Sequence, residues 1–170
     1  MDDFSFAQRQ RLAFIDFKLF FTASMTRSEI VQHFEMGVSA ATRDITLYKA
    51  LAPNNMEYDN AEKRYFITNK FKPLFKHDAK HTLVKLANDI SDGFDAIGST
   101  DFPVEQSSQL NLPDITVIAR LSQAIIIGKA VNVVYTSLSS GSGIRELVPH
   151  TIVDNGLRWH VRAFDKNTNV

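Results

Sequence analysis

The chain has 170 residues, enough for one or two small domains that fold without disulfide or metal staples. Nineteen Lys and Arg balance nineteen Asp and Glu, which excludes a polycation that coats nucleic acid by total charge but leaves room for a local basic face. Cysteine is absent, so disulfides, thiol catalysis and Cys-ligated zinc or iron–sulfur sites are excluded.

No apolar run approaches the ~20 residues that a membrane span requires. The acidic start Met1-Asp2-Asp3 lacks the basic region of a secretory signal. Together these give the expectation of a soluble, cytoplasmic protein.

Apolar residues recur at three- and four-residue steps over Phe6–Ala23 and predict a first helix. Phe14, Phe17, Phe20, Phe21 and Phe34 crowd this region and are expected to build one aromatic core. Thr26-Arg27-Ser28-Glu29 has the form of a capping box, Thr26 accepting from the backbone while Glu29 reaches back. A second helix follows with Ile30, Val31, Phe34 and Met36 as its apolar set, and Gly37 is expected to end it at positive φ. Ser39 is then the expected N-cap of a third helix, Ala40–Leu51, which Pro53-Asn54-Asn55 stops. Met56-Glu57-Tyr58 and Arg64-Tyr65-Phe66-Ile67, separated by Asp59–Lys63, predict a β-hairpin. Helix, helix, short Gly-containing turn, helix and hairpin is the order of a winged helix-turn-helix.

On the third helix, Ala41, Ile45, Tyr48 and Ala52 form the expected buried stripe, flanked by Leu47 and Leu51. Ser39, Ala40, Thr42, Arg43, Thr46 and Lys49 are left as the candidate DNA-reading set, joined by Lys63 and Arg64 on the hairpin as phosphate contacts. Small and hydroxyl residues let a helix approach base edges, and the forked donors of Arg43 match guanine. A solvated polar face is the plainer account of any single member. The cap, the turn spacing and the basic hairpin favour double-stranded DNA when they are taken together.

Charge is uneven beyond the hairpin. Lys63 to Lys85 holds seven basic residues against one acid, and Asp89 to Asp114 holds six acids and no Lys or Arg. Lys72, Lys76 and Lys80 repeat every four residues, as on one side of a helix, and are read as a solvated face. The expected division is a winged helix-turn-helix over 1–70, a helical and acidic linker over 71–114, and a β-rich domain over 115–170.

Ile115–Lys129 predicts a helix, started by Pro113-Asp114 and stopped by Gly128. Three strand-like runs follow at Val131–Thr136, Arg145–Val153 and Leu157–Phe164, with turns at Ser139–Gly143 and Asp154-Asn155-Gly156. Pro149 predicts a bend or an edge in the middle run. In the last run Arg158, His160 and Arg162 alternate with Leu157, Trp159, Val161 and Ala163, which makes a cationic face. With Tyr135 and His150 it is a candidate anion or nucleic-acid surface; ordinary solvated salt bridges are the plainer alternative.

The run Arg145-Glu-Leu-Val-Pro-His-Thr-Ile-Val-Asp-Asn-Gly-Leu-Arg-Trp-His-Val-Arg-Ala-Phe-Asp165 resembles the central part of a WYL domain. The family's Trp-Tyr-Leu triplet is matched by Trp159-His160-Val161, which departs at two positions but keeps the β pattern and the preceding Val148-Pro149-His150. With the N-terminal elements, the chain resembles WYL-domain winged helix-turn-helix regulators, particularly repressors that accompany phage-defence operons of the BREX and CBASS types.

The resemblance implies an α+β protein with a partial Sm-like β-barrel from about residue 116, and a regulatory pocket for a nucleotide or single-stranded nucleic-acid effector. On that reading Tyr135, Ser137, His150, Arg158, His160 and Arg162 are the pocket candidates, and a homodimer is implied for the full-length form. Family members continue past the triplet, so a chain ending at Val170 is expected to be C-terminally truncated.

Two other classes stand beside this one. His77 and His81 lie one helical turn apart, a spacing that can bind metal, but the Glu of a His-Glu-x-x-His motif is missing. Neither a catalytic constellation nor a cofactor or metal site is expected. The second rival is a winged-helix protein-interaction module without sequence-specific DNA binding, which salt dependence would separate from a DNA binder.

Overall fold

The computed structural model describes residues 4–78, 113–138, 141–154 and 158–167. It divides into two compact units, the first ending at His77.

In the first unit α1 spans Phe6–Thr22 and starts at Ser5, whose hydroxyl accepts from the Gln8 amide at 3.2 Å. Leu12, Ile15, Leu19 and Phe21 are buried along it, as the three- and four-residue spacing requires. The helix ends at Ala23 in the left-handed region, and β1 (Ser24–Met25) follows at once. This short strand escaped the sequence reading, because a two-residue run carries no period.

The capping box forms as expected. The Glu29 amide donates to Thr26 Oγ1 at 3.2 Å and the Thr26 amide to Glu29 Oε2 at 2.6 Å, which fixes the start of α2, Arg27–His33.

The turn that follows differs from expectation. Glu35 takes the positive φ of 48°, while Gly37 sits at φ −71°. Gly37, and not Ser39, is the N-cap of α3, which spans Val38–Leu51. The Gly37 carbonyl accepts from the amides of both Ala40 and Ala41, so Ser39 falls inside the first turn. Ala41, Ile45, Tyr48 and Ala52 are buried as the periodicity predicts, and Leu51 is exposed.

The hairpin pairs β2 (Met56–Asp59) with β3 (Arg64–Ile67), and β1 adds to the outer side of β3 through Ser24↔Phe66 and Met25↔Tyr65. The sheet order is β1-β3-β2. The core is built from Leu12, Ile15, Leu19, Met25, Ile30, Ala41, Ile45, Tyr48 and Met56, contributed by all three helices and the sheet. The phenylalanines form two ring groups instead of one. Phe14 stacks on His33 and meets Phe34 edge-on, while Phe17, Phe20 and Phe21 gather around His77, with Phe71 stacked on Phe20.

Residues 71–78 are not helical, so the expected stripe of Lys72 and Lys76 does not form there; Lys80 lies outside the described residues. The reason is local. The backbone of Lys72 is bracketed by Asn55, with its amide donating to Oδ1 at 3.0 Å and its carbonyl accepting from Nδ2 at 2.8 Å. The amides of Leu74 and Phe75 donate to the buried Asp16 carboxylate at 3.1 and 3.3 Å. Side chains thus hold backbone groups that helical bonds would otherwise use, and Phe71, Leu74 and Phe75 pack on the core.

In the second unit α4 spans Ile115–Ile127, capped by Asp114 and ended by Gly128 at φ 65°, as expected. The strands β4 (Val131–Ser137), β5 (Gly141–Asp154) and β6 (Trp159–Asp165) make an antiparallel sheet of order β4-β5-β6, and α4 packs against β5. Among the described residues this is an open sheet and not a closed barrel. Pro149 lies on the central strand, buried, so the edge alternative fails; the bend is real, since pairing slips between Pro149 and Thr151 and leaves His150 as the extra residue of a bulge. Residues 139–140 and 155–157 of the expected turns lie outside the described residues.

Glu29 ties three elements together. Its carboxylate takes the capping bonds, meets Lys18 Nζ of α1 at 2.6 Å, and lies 3.9 Å from Arg64 Nη2 of β3. Burial pushes its pKa up, but Lys18 and Thr26 outweigh burial and hold it below the ordinary value of 4.5. A lowered carboxylate pKa stabilises the fold above its unfolded value and ceases to do so as pH falls through the folded one. Glu29→Gln is therefore expected to cost about 1 kcal/mol at neutral pH. In urea melts the gap to wild type should close as pH drops below 4.5.

Candidate nucleic-acid interface

One turn of helix advances 100° per residue, so the pattern that buries Ala41, Asp44, Ile45 and Tyr48 places Ser39, Thr42, Arg43, Thr46 and Lys49 on the opposite side of α3. All five are exposed. Ala40, the sixth member of the sequence-predicted set, is half-buried and sits at the margin of this stripe.

The two threonines are oriented by their own helix. Thr42 Oγ1 donates to the Val38 carbonyl and Thr46 Oγ1 to the Thr42 carbonyl, each at 2.9 Å. Arg27, at the first position of α2, reaches across and donates from Nη1 to Thr42 Oγ1 at 3.3 Å. Arg27 is exposed and was missed by the sequence reading, which treated it as part of a cap; only the packing of α2 against α3 brings it beside the stripe.

Adjacent residues of α3 have opposite fates. Arg43 is exposed, whereas Asp44 is buried and bound by Arg11 of α1, Nε to Oδ2 at 2.6 Å. That pair docks α3 onto α1 without using the outer face.

The hairpin residues also separate. Lys63 is exposed at the tight turn, with φ 53°. Arg64 is half-buried against Glu29, with its Nε buried and unpaired, so it holds the wing to α2. The rings of Tyr58 and Tyr65 meet across the hairpin with centroids 4.7 Å apart and planes tilted by 50°. Burial raises the Tyr65 pKa and Tyr58 adds to this, while the Arg27 charge opposes both.

The six effector candidates do not share one face. Strand register puts Tyr135 and Ser137 with Arg145 and Asp165, whereas His160 and Arg162 lie on the other side of the sheet. Arg158 just precedes β6, and the bulge residue His150 bonds through Nδ1 to Thr151 Oγ1, which pairs opposite Arg162. On the Tyr135 side the Arg145 guanidinium stacks on the Tyr135 ring at 4.2 Å and pairs with Asp165 at 3.0 Å. These three, with Gly143 and Asn167, line an open cavity of about 230 Å³. Arg145 and Asp165 were absent from the predicted set; their pairing depends on the β5–β6 register, which no periodicity reveals.

No group of three or more His, Asp or Glu residues able to hold a metal occurs among the described residues. His77 is bound to Asp16, and His81 lies outside them.

Residues 7–88 match the BrxR transcriptional regulator winged helix-turn-helix domain, and residues 116–169 match the WYL domain. In chain order the matches are thus to a winged helix-turn-helix of the BrxR type and then to a WYL domain. It is 32% identical over 163 residues to the DNA-binding transcriptional repressor CapW of Escherichia coli, and 34% identical over 166 residues to the CapW of Pseudomonas aeruginosa. Each alignment covers 92% of this chain and 54% of the relative, so the chain spans about half the length of these curated relatives. Among solved structures it is similar to proteasome accessory factor B/C of Arthrobacter aurescens, at 14% identity and a TM-score of 0.30 over 94% of this chain and 30% of that one; so low a score supports no argument.

The neighbours Arg43 and Asp44 give a direct check on this winged helix. Arg43→Ala is expected to change stability by less than about 0.5 kcal/mol, as at an ordinary exposed position. Asp44→Ala strips Arg11 of its partner and is expected to cost about 3 kcal/mol. Thermal melts of the two variants side by side test the assignment of outer and inner faces.

Proposed function

We propose that this chain is a DNA-binding transcriptional regulator, a repressor of its own or a phage-defence operon, working in the cytoplasm and not an enzyme. The observation that carries the reading is the exposed stripe Ser39, Thr42, Arg43, Thr46 and Lys49 on α3, with Arg27 bonded to Thr42 at its border and Lys63 exposed in the hairpin turn. Relatives at 32–34% identity bear the name of DNA-binding repressors, which supports the same reading.

In this reading α3 enters the major groove. Arg43 reads a base edge through its forked donors, Thr42 and Thr46 present hydroxyl and methyl groups, and Ser39, Lys49, Lys63 and Arg27 hold phosphates. Arg64 is reassigned from a phosphate contact to a support of the wing. The regulator acts as a homodimer in its full-length form, each copy reading one half-site.

The WYL domain is the proposed effector site, with a nucleotide or single-stranded nucleic acid as the ligand. Arg145 stacked on Tyr135 is its strongest recognition element, because a cation beside an aromatic ring suits a phosphate next to a base. His160 and Arg162, with Arg158 just before β6 and the bulge residue His150 nearby in the register, serve as a second basic surface on the reverse of the sheet.

Fluorescence anisotropy of a duplex from upstream of its own gene, titrated at two salt concentrations, tests the reading. Affinity is expected to fall steeply with salt as counterions are released. Arg43→Ala should lose roughly 1–3 kcal/mol of discrimination against a scrambled duplex. Lys63→Ala should weaken both duplexes alike and flatten the salt slope by about one. Salt-independent behaviour, or equal binding to both duplexes by wild type, would overturn sequence-specific recognition in favour of a protein-interaction module.

A further inference from the structure

The core of the first unit contains a carboxylate that the DNA-reading face does not use. Asp16 is fully buried on α1. Its Oδ1 accepts from the Tyr48 hydroxyl at 2.5 Å and the Leu74 amide at 3.1 Å, and its Oδ2 lies 3.3 Å from the Phe75 amide and 2.8 Å from His77 Nε2. Tyr48 is on α3, on the face opposite the exposed stripe. The same phenol oxygen accepts from Asn55 Nδ2 at 3.0 Å, and Asn55 brackets the backbone of Lys72.

The segment that ends the first compact unit is thus hydrogen-bonded, through Asp16 and Asn55, to a single side chain of the reading helix. Its last member, His77, ends the first compact unit and rests against the rings of Phe17, Phe20 and Phe21.

We propose that Lys72–His77 is a latch on the reading helix: seated at Asp16, it holds Tyr48 and keeps α3 in its DNA-competent position, and unseating it from the His77 end releases α3. The inference deepens the DNA reading and rests on it for its consequence on binding. His77 is the natural point of release. It is the last residue of the segment bonded to Asp16, and its side chain is 9% exposed where that of Asp16 is 0%. Once His77 leaves, the Leu74 and Phe75 amides are the only other bonds from the segment to Asp16 among the described residues. A buried network that has lost part of its donors is costly to keep, so the segment releases as a unit and not bond by bond. His77 touches no ligand in this scheme and is a positioning residue.

The experiment uses the full chain with 3-fluorotyrosine at its four tyrosines, the Tyr48 resonance being assigned by its loss in Tyr48→Phe. His77→Ala removes the bond and the ring. His77→Phe removes the bond and keeps the ring packing, which guards against a variant that fails to fold. His77→Gln restores an N–H donor.

In Ala and Phe the Tyr48 fluorine resonance is expected to move, and the amides of α3 should exchange roughly tenfold faster while those of α1 hold. Affinity for the upstream duplex should fall several-fold, and Gln should recover both readouts. If Ala and Phe melt earlier but leave the Tyr48 resonance and α3 exchange at wild-type values, the latch is overturned. A moved resonance in a chain that binds no duplex at low salt upholds the latch and overturns the DNA reading. An unmoved one in a chain that binds duplex overturns the latch and leaves the DNA reading in place.

Discussion

The winged helix depends on how the buried Asp16 carboxylate is satisfied. A carboxylate taken out of water is strongly destabilising unless hydrogen-bond donors surround it. Here the donors come from α3, from two backbone amides after the wing, and from His77, none of which is near Asp16 in sequence. The same bonds that offset the burial of the charge therefore fix where α3 and the chain exit lie. Asn55 extends the arrangement by linking the phenol to the Lys72 backbone, and burial raises the Tyr48 pKa, with the Asp16 charge adding to it, so the phenol stays protonated as a donor.

Around this centre the polar contacts of α3 divide the helix by face. Inward, Asp44 is held by Arg11 and Tyr48 by Asp16, which anchors two turns of the helix to α1. Outward, the threonine hydroxyls are bonded back to their own helix, with Ser39, Arg43 and Lys49 exposed beside them. A helix pinned from behind in this way presents its outer stripe with little ordering left to do on binding, which favours tight recognition. Glu29 does the equivalent for the wing, since one carboxylate caps α2, meets Lys18 and steadies Arg64.

Much of the fold was legible in the sequence because it depends on local chemistry. The capping box, the buried stripe of α3, the hairpin and the caps of α4 are each set by residues within a few positions of one another. The expectations that failed concern neighbours distant in the chain. Ser39 looks like an N-cap in isolation, but the Gly37 carbonyl takes the first bonds. Lys72 and Lys76 keep helical spacing, yet Asp16 and Asn55 hold the backbone of that segment in another form. Of the candidate DNA set, the outer stripe is read correctly as a face by its period, while Arg64 and Ala40 turn inward and Arg27 joins from another helix.

The sequence by itself determined which residues could be helix or strand, where α2 and α4 begin, and which side of α3 is apolar, because these follow from dihedral preference, capping and periodicity along the chain. It also carried the resemblance to WYL regulators through Val148-Pro149-His150 and the run around Trp159. Only the tertiary structure decided that Arg27 borders the exposed stripe of α3 and that Arg145 lies between Tyr135 and Asp165. It alone showed that Tyr135 and Ser137 of the expected effector set lie on the opposite face of the sheet from His160 and Arg162, and that Asp16 joins the chain exit to α3. Each of these rests on pairing across tens of residues, where strand register and helix packing choose the neighbours and no local rule does.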